Sequence, residues 1–90
     1  MKFEWDNKKN KSNIKKHGID FNDAEQIFEN PLLIKEDNRF DYGEKRWIGI
    51  GRLLEFVVVV IFTFRNKVIR IISLRLANKN EKEGYYETFK

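Results

Sequence analysis

The sequence predicts an α+β fold in which an antiparallel meander sheet is flanked by two N-terminal helices and one C-terminal helix. Three observations carry that prediction. The first is the apolar run Phe56–Phe64, with Val57 to Val60 consecutive. It is about half the roughly 20 residues a membrane helix needs, and its valines favour a central strand. The second is Val68–Leu76, a further β-branched run set off by Arg65-Asn66-Lys67, which reads as a tight hairpin turn. The third is a pair of helical signatures: a polar segment opened by Asp6 and stopped by Gly18, and an Asn78-x-x-Glu81 capping box.

Taken in order, Met1–Trp5 reads as a short opening strand. Asp6 caps a helix that runs to His17, with lysines gathered toward its C-terminus, where they complement the helix dipole; Gly18 is its stop. Ile14 is almost the only apolar residue of this helix, so it is expected on the surface, held by few contacts. Asn22 is a second candidate N-cap, followed by the helical stripe Phe21, Ala24, Ile27 and Phe28, which Pro31 terminates. Leu32–Lys35 begins the strands, and Asp37-Asn38 and Asp41-Tyr42-Gly43 are turn material. A strand over Glu44–Gly51 places Glu44, Arg46, Ile48 and Ile50 on one face. Arg52–Glu55 is a turn, and the last helix reaches about Phe89. Val57–Phe64 is apolar on both faces, so both are expected to be buried. Three short helices can hardly cover both, and a protein partner or second copy is expected to cover part of the sheet.

Composition narrows the function. Ninety residues fit one domain, and the formal charge of +4 is moderately basic. The absence of cysteine excludes a disulfide framework or a thiolate metal site. A single histidine, His17, argues against structural zinc, and no cofactor is expected. No signal peptide is visible, so a cytoplasmic location is expected. No P-loop, Rossmann fingerprint, nucleophile elbow or metal motif is present. What survives is metal-free acid–base chemistry on a phosphodiester, which needs a base, a proton donor and cations around the phosphate.

Arg70 and Arg75 lie within the β-branched strand Val68–Leu76, where charge must be paired or hold a ligand. Arginine matches phosphate bidentately. Strand alternation puts Arg70 with Val68, Ile72 and Leu74, and Ser73 and Arg75 on the opposite face. In a regular strand the two cannot share a pocket, so either a bulge realigns them, or Arg75 lies beyond the strand end, or only one of them faces substrate. Read plainly, each pairs with Glu44, Glu55 or Glu81. Glu44 and Arg46, two apart, form either a solvated charge pattern or, functionally, a general base and its neighbour. Lys16 and His17 close the first helix, and histidine is the residue type whose reference pKa suits proton transfer near neutrality. The lysines from Lys8 to Lys16, Lys9 included, are a solvated face or a track for a phosphate backbone. Tyr85, Tyr86, Trp5 and Trp47 are core or interface residues, or platforms for unpaired bases.

The spacing Trp5-Asp6-x-x-Lys9-x-x-x-Asn13-x-x-Lys16-His17-Gly18-Ile19-x-Phe21-x-x-Ala24 resembles the opening of the BrnT family, toxins of bacterial type II toxin–antitoxin systems. The similarity continues through Phe28, Pro31 and Glu44-x-Arg46-x-x-x-Ile50-Gly51. It closes with Arg70-Ile71-Ile72-Ser73-x-Arg75-x-Ala77-x-x-x-Glu81-x-x-x-Tyr85. The resemblance implies a RelE-like fold and metal-independent RNA cleavage that arrests translation. It also implies neutralisation by a BrnA-type antitoxin in a tight hetero-oligomer, which would own the missing sheet cover and read operator DNA on the toxin's behalf. Carried onto this chain, Arg70 and Arg75 become phosphate and transition-state stabilisers, Lys16 adds charge, and Glu44 or His17 accepts the 2′-hydroxyl proton. Arg46, Tyr85 and Lys9 are expected to bind substrate. The chain departs from the family at Leu74, usually alanine, and at Gly84, which weakens the last helix by about 1 kcal/mol relative to alanine. The rival reading is a non-catalytic RNA- or protein-binding module; a purely structural role would give both arginines an acidic partner.

Overall fold

A computed structural model describes residues 1–90. In chain order the elements are β1 (Phe3–Trp5), α1 (Asn7–His17), a 3-10 turn (Phe21–Asp23), α2 (Ala24–Glu29), β2 (Leu33–Glu36), β3 (Trp47–Leu53), β4 (Phe56–Arg65), β5 (Val68–Leu76) and α3 (Lys79–Thr88). The α+β class holds, and β2 to β5 form the expected antiparallel meander. The sheet as a whole is mixed, however, with strand order β1-β5-β4-β3-β2 and β1 parallel to β5.

The parallel pair follows from what comes after β1. Its three residues pair with Ile69 to Ile71, and the chain then passes directly into α1, which continues along the same edge of β5. The seam between α1 and β5 is polar. The Asn13 side-chain amide donates to the Leu74 carbonyl at 2.8 Å, and its oxygen accepts from Leu74 N–H at 3.2 Å. One side chain thus completes the backbone pairing of an otherwise open strand edge. The same amide donates to the Ile19 carbonyl at 2.9 Å. Asn10 donates to Asp20 and accepts from Phe21 N–H, both at 2.9 Å. The expectation of a loosely held surface helix is therefore corrected: α1 is anchored by two buried asparagines, while Ile14 is exposed.

The caps of α1 are as expected. Asp6 accepts from Lys8 and Lys9 N–H, and Gly18 adopts φ +73°, which a side chain would strain. Asn22 does not cap α2. Asp20 caps an intervening 3-10 turn by accepting from Asn22 N–H, and α2 has no side-chain cap. β3 begins at Trp47 rather than Glu44, because Asp37 N–H bonds the Arg46 carbonyl at 2.7 Å and closes residues 37–46 into a loop. Turn residues Asn66 and Lys67 both have positive φ, the geometry of a two-residue hairpin turn.

The core lies between α1, α2 and one face of the sheet. It joins Ile19, Phe21, Ala24 and Ile27 to Leu53, Val58, Val60, Phe62, Ile69, Ile71 and Leu74. Each large apolar side chain fully buried there contributes on the order of 1.5–3 kcal/mol. Gly51 lets the layers meet, since a Cβ there would lie 2.7 Å from Leu32 Cδ2 and 3.0 Å from Ile27 Cγ2. The chain also covers much of the second face, contrary to expectation. Val57 and Val59 are buried there at the end where α3 is tied down by Tyr85 and Glu81. At the other end Thr63 donates to the Lys45 carbonyl of the 37–46 loop at 2.6 Å. Burial of β4 therefore needs no second chain.

Candidate nucleic-acid groove

Strand β5 does not alternate regularly. The register passes from Ile61↔Ser73 to Phe62↔Ile71, leaving Ile72 as the extra residue of a β-bulge. Paired residues share a face, so Ile69, Ile71 and Leu74 all point into the helix-side core. Arg70, opposite Thr63, and Arg75, opposite Val59, both point to the second face with Ser73. This corrects the regular-strand reading, in which Leu74 shared Arg70's face and the two arginines diverged.

On that second face lies a groove of about 320 Å³. Its floor is Ile48, Ile50, Val59 and Ile61, and its walls carry Lys35, Arg39, Ser73, Arg75 and Glu81. On the other side of Ser73, a cleft of about 210 Å³ is bordered by Lys9, Ser12, Asn13, Lys16, His17 and Ile72. Ser73 borders both, so the bulged segment of β5 is the wall between groove and cleft.

Arg75 is both paired and available. Its Nη1 and Nη2 donate to the two Glu81 carboxylate oxygens at 2.9 Å, and Nη1 also donates to the Leu76 carbonyl at 3.1 Å. A guanidinium has five N–H groups, so Nε and one Nη2 hydrogen, a complete fork edge, stay uncommitted. Arg75 holds the Glu81 carboxyl below its ordinary range, and Glu81 raises the arginine in return. Glu81 also accepts from Asn78 N–H at 2.8 Å, so the expected capping box of α3 and the arginine share one carboxylate. Arg70 meets Glu4 at 3.6 Å, longer than a hydrogen bond. Both arginines thus have an acidic neighbour, and Arg75 lines a groove as well.

The other expected site residues divide. Lys9, Lys16 and His17 come together in the cleft. Glu44 and Arg46 form a separate cluster: Arg46 Nε and Arg65 Nη2 each donate to the Glu44 carboxylate at 3.1 Å, and the Arg46 guanidinium lies 4.2 Å above the Tyr42 ring. Desolvation pushes the Glu44 carboxyl up, but the two arginines outweigh it and leave its pKa below the ordinary value. Tyr85 is buried, its hydroxyl donating to the Pro31 carbonyl at 2.9 Å and its pKa raised by desolvation. It is packed under α3 and offers no free face to a base. Trp5, edge-on to Phe21 at 6.4 Å, and Trp47 both pack against the core.

Lys35 and Arg39 are charged groove residues that sequence reasoning missed, along with Asp37, which holds Arg39 in place. Asp37 has no exposed side-chain surface. Its carboxylate accepts from Arg39 Nε at 2.8 Å, Arg39 Nη2 at 2.9 Å and Tyr42 Oη at 3.1 Å. The Arg39 side-chain bonds are the main reason its pKa falls far below 3.8. The signal available was Asp37-x-Arg39 with Tyr42, in a segment taken for turn material. No three His, Cys, Asp or Glu side chains converge. No helix is long and apolar enough to cross a membrane.

Fold and groove together define a small basic α+β protein whose free arginine and lysine donors suit the oxygens of a phosphodiester. A family model described as the ribonuclease toxin BrnT of type II toxin–antitoxin systems matches residues 5–81. The chain belongs to the BrnT family. Membership makes it a toxin of the ribonuclease kind, with an antitoxin as its implied partner. A search among curated proteins found no match.

Proposed function

We propose that this protein is a metal-independent endoribonuclease that arrests translation in the cytoplasm and is neutralised by a BrnA-type antitoxin in a tight hetero-oligomer. Operator DNA is reached only through that antitoxin. The observation that carries the reading is the junction at Ser73, where a cleft holding His17, Lys9 and Lys16 backs onto a groove holding Arg75. The RNA backbone crosses β5 at this point. His17 accepts the proton of a ribose 2′-hydroxyl, and the 2′ oxygen attacks phosphorus. The bond from phosphorus to the 5′ oxygen breaks, and that oxygen takes a proton from water at the open cleft. The products are a 2′,3′-cyclic phosphate and a 5′-hydroxyl. Arg75, through its free fork edge, and Arg70 stabilise charge on the phosphoryl oxygens, with Lys16 adding to the local field. Glu44, doubly bonded to arginines and held anionic, suits the orientation of Arg46 better than proton transfer.

Inducible expression tests the reading. Wild type is expected to slow growth and cut RNA, with cleavage by purified protein persisting in EDTA. Arg75→Ala and Arg70→Ala lose toxicity, and His17→Ala slows cleavage by about 10²–10⁴. A soluble wild type that neither slows growth nor cuts RNA ends the proposal. Full activity of His17→Ala removes that residue as base while sparing the function. The acidic neighbour of each arginine is the one observation that favours a purely structural role, and that reading requires the wild type neither to bind nor to cut RNA.

A further inference from the structure

The 37–46 loop holds an arrangement that packing does not explain. Arg39 is fixed side-on by the buried Asp37 carboxylate through Nε and Nη2, yet its side chain is 58% exposed on the wall of the groove. The opposite fork edge, both Nη1 hydrogens and one on Nη2, has no partner within the protein. Asp37 is itself locked by Tyr42, so the guanidinium is oriented before anything binds. The next residue, Phe40, is the most exposed aromatic of the chain at 71%, and its one aromatic neighbour is Tyr42, edge-on at 5.9 Å. A large exposed aromatic beside a preoriented arginine pairs one donor for phosphate with one surface for an unpaired base.

We infer that the 37–42 loop is a substrate-reading element: Arg39 grips an RNA phosphate with its free edge, and Phe40 stacks on the adjoining unpaired base. Arg39 and Arg75 present complementary halves of the same geometry. The first is tied side-on and offers its end-on edge, the second is tied end-on and offers its side edge, and both line one groove. A single-stranded backbone laid along the apolar floor therefore meets two preoriented forks, with Lys35 beside them. The ligand is single-stranded RNA, because a paired base has no face to give Phe40. Asp37 acts as a positioning residue and touches no substrate. The inference deepens the ribonuclease reading and rests on it.

The test measures binding apart from chemistry, by fluorescence anisotropy of a fully 2′-O-methylated single-stranded oligonucleotide that cannot be cleaved. Phe40→Ala removes an exposed side chain and should fold normally; it is expected to weaken binding by about fivefold or more. Arg39→Gln should weaken it similarly and lower the slope of log affinity against log salt by about 0.7, one phosphate contact. Asp37→Asn keeps the Arg39 charge but frees its orientation. It should therefore weaken binding with little change in salt slope, a split that general unfolding, monitored by thermal melting, does not produce. Duplex RNA of the same sequence should bind more weakly than the single strand and be indifferent to Phe40→Ala. If wild type binds and cuts RNA while Phe40→Ala and Arg39→Gln match it, the loop assignment is wrong and the ribonuclease reading stands. If wild type neither binds nor cuts, both fall.

Discussion

Replacing Asn13 by alanine removes three hydrogen bonds at once, to the Ile19 carbonyl, the Leu74 carbonyl and Leu74 N–H, at 2.9, 2.8 and 3.2 Å. Asn13 is 7% exposed and Leu74 fully buried, so the backbone groups left behind are poorly placed to recover water. At about 1 kcal/mol for each bond, the loss is about 3 kcal/mol, with orphaned groups raising rather than lowering it. For a domain of this size that corresponds to a fall in Tm of about 12–24 °C. Urea denaturation followed by far-UV circular dichroism measures it, with Lys11→Ala on the exposed side of α1 as a control expected within about 0.5 kcal/mol of wild type. Asn13→Asp is the sharper variant. It retains the acceptor for Leu74 N–H but turns a carboxylate oxygen toward two carbonyls, so it should lose at least as much. A loss below about 1 kcal/mol for Asn13→Ala would falsify the view that α1 is held by its polar side, and with it the reason His17 and Lys16 stand against β5.

The remaining predictions concern single features. Gly84→Ala meets no atom within 4 Å and should raise stability by about 1 kcal/mol in thermal or chemical melts. Lys67→Gly, at a position with φ +66°, should relieve strain in the hairpin turn and stabilise by roughly 0.5–1 kcal/mol. Tyr85→Phe should cost about 1 kcal/mol through the bond to Pro31 while leaving RNA cleavage unchanged; a selective loss of activity would restore Tyr85 to the substrate site. The folded Asp37 carboxyl sits below its ordinary 3.8, so its contribution to stability is present above that pH and is lost as pH falls through the lower folded value. Asp37→Asn should therefore lower stability at neutral pH and flatten its decline on acidification, read from urea midpoints between about pH 5 and 2.

Patterns of apolar residues and caps were the legible part of the fold. The Asp6 and Gly18 ends of α1, the β4–β5 hairpin and the Asn78–Glu81 box all depend on neighbours in sequence, and each lies where local chemistry puts it. The parallel placement of β1 depends on a strand more than sixty residues away, which no local pattern encodes. Periodicity also misled at Ile72, since alternation assumes a regular strand and a bulge reverses the faces on either side of it. Helix α1 read as a loosely held surface element because the partners of Asn10 and Asn13 lie outside the helix, at Asp20 and Phe21 and at Ile19 and Leu74. For the candidate groove and cleft, residue type was enough to single out four of the side chains that line them, Arg75, His17, Lys9 and Lys16. It failed for Lys35, placed by strand β2, and for Asp37 and Arg39, whose meaning comes from a loop folded over the sheet.

The closure of the sheet by its first strand has a temporal side. Phe3 pairs with Ile69, and Asn13 bonds Leu74 across sixty-one positions of sequence. A chain emerging from a ribosome makes β1 and α1 first but cannot seat them until β5 has been delivered. The cleft of His17 and the groove of Arg75 meet only on that last strand, so a partly synthesised chain lacks the junction on which the proposed chemistry depends. That junction is complete only with the final strand, when an antitoxin can meet a finished surface.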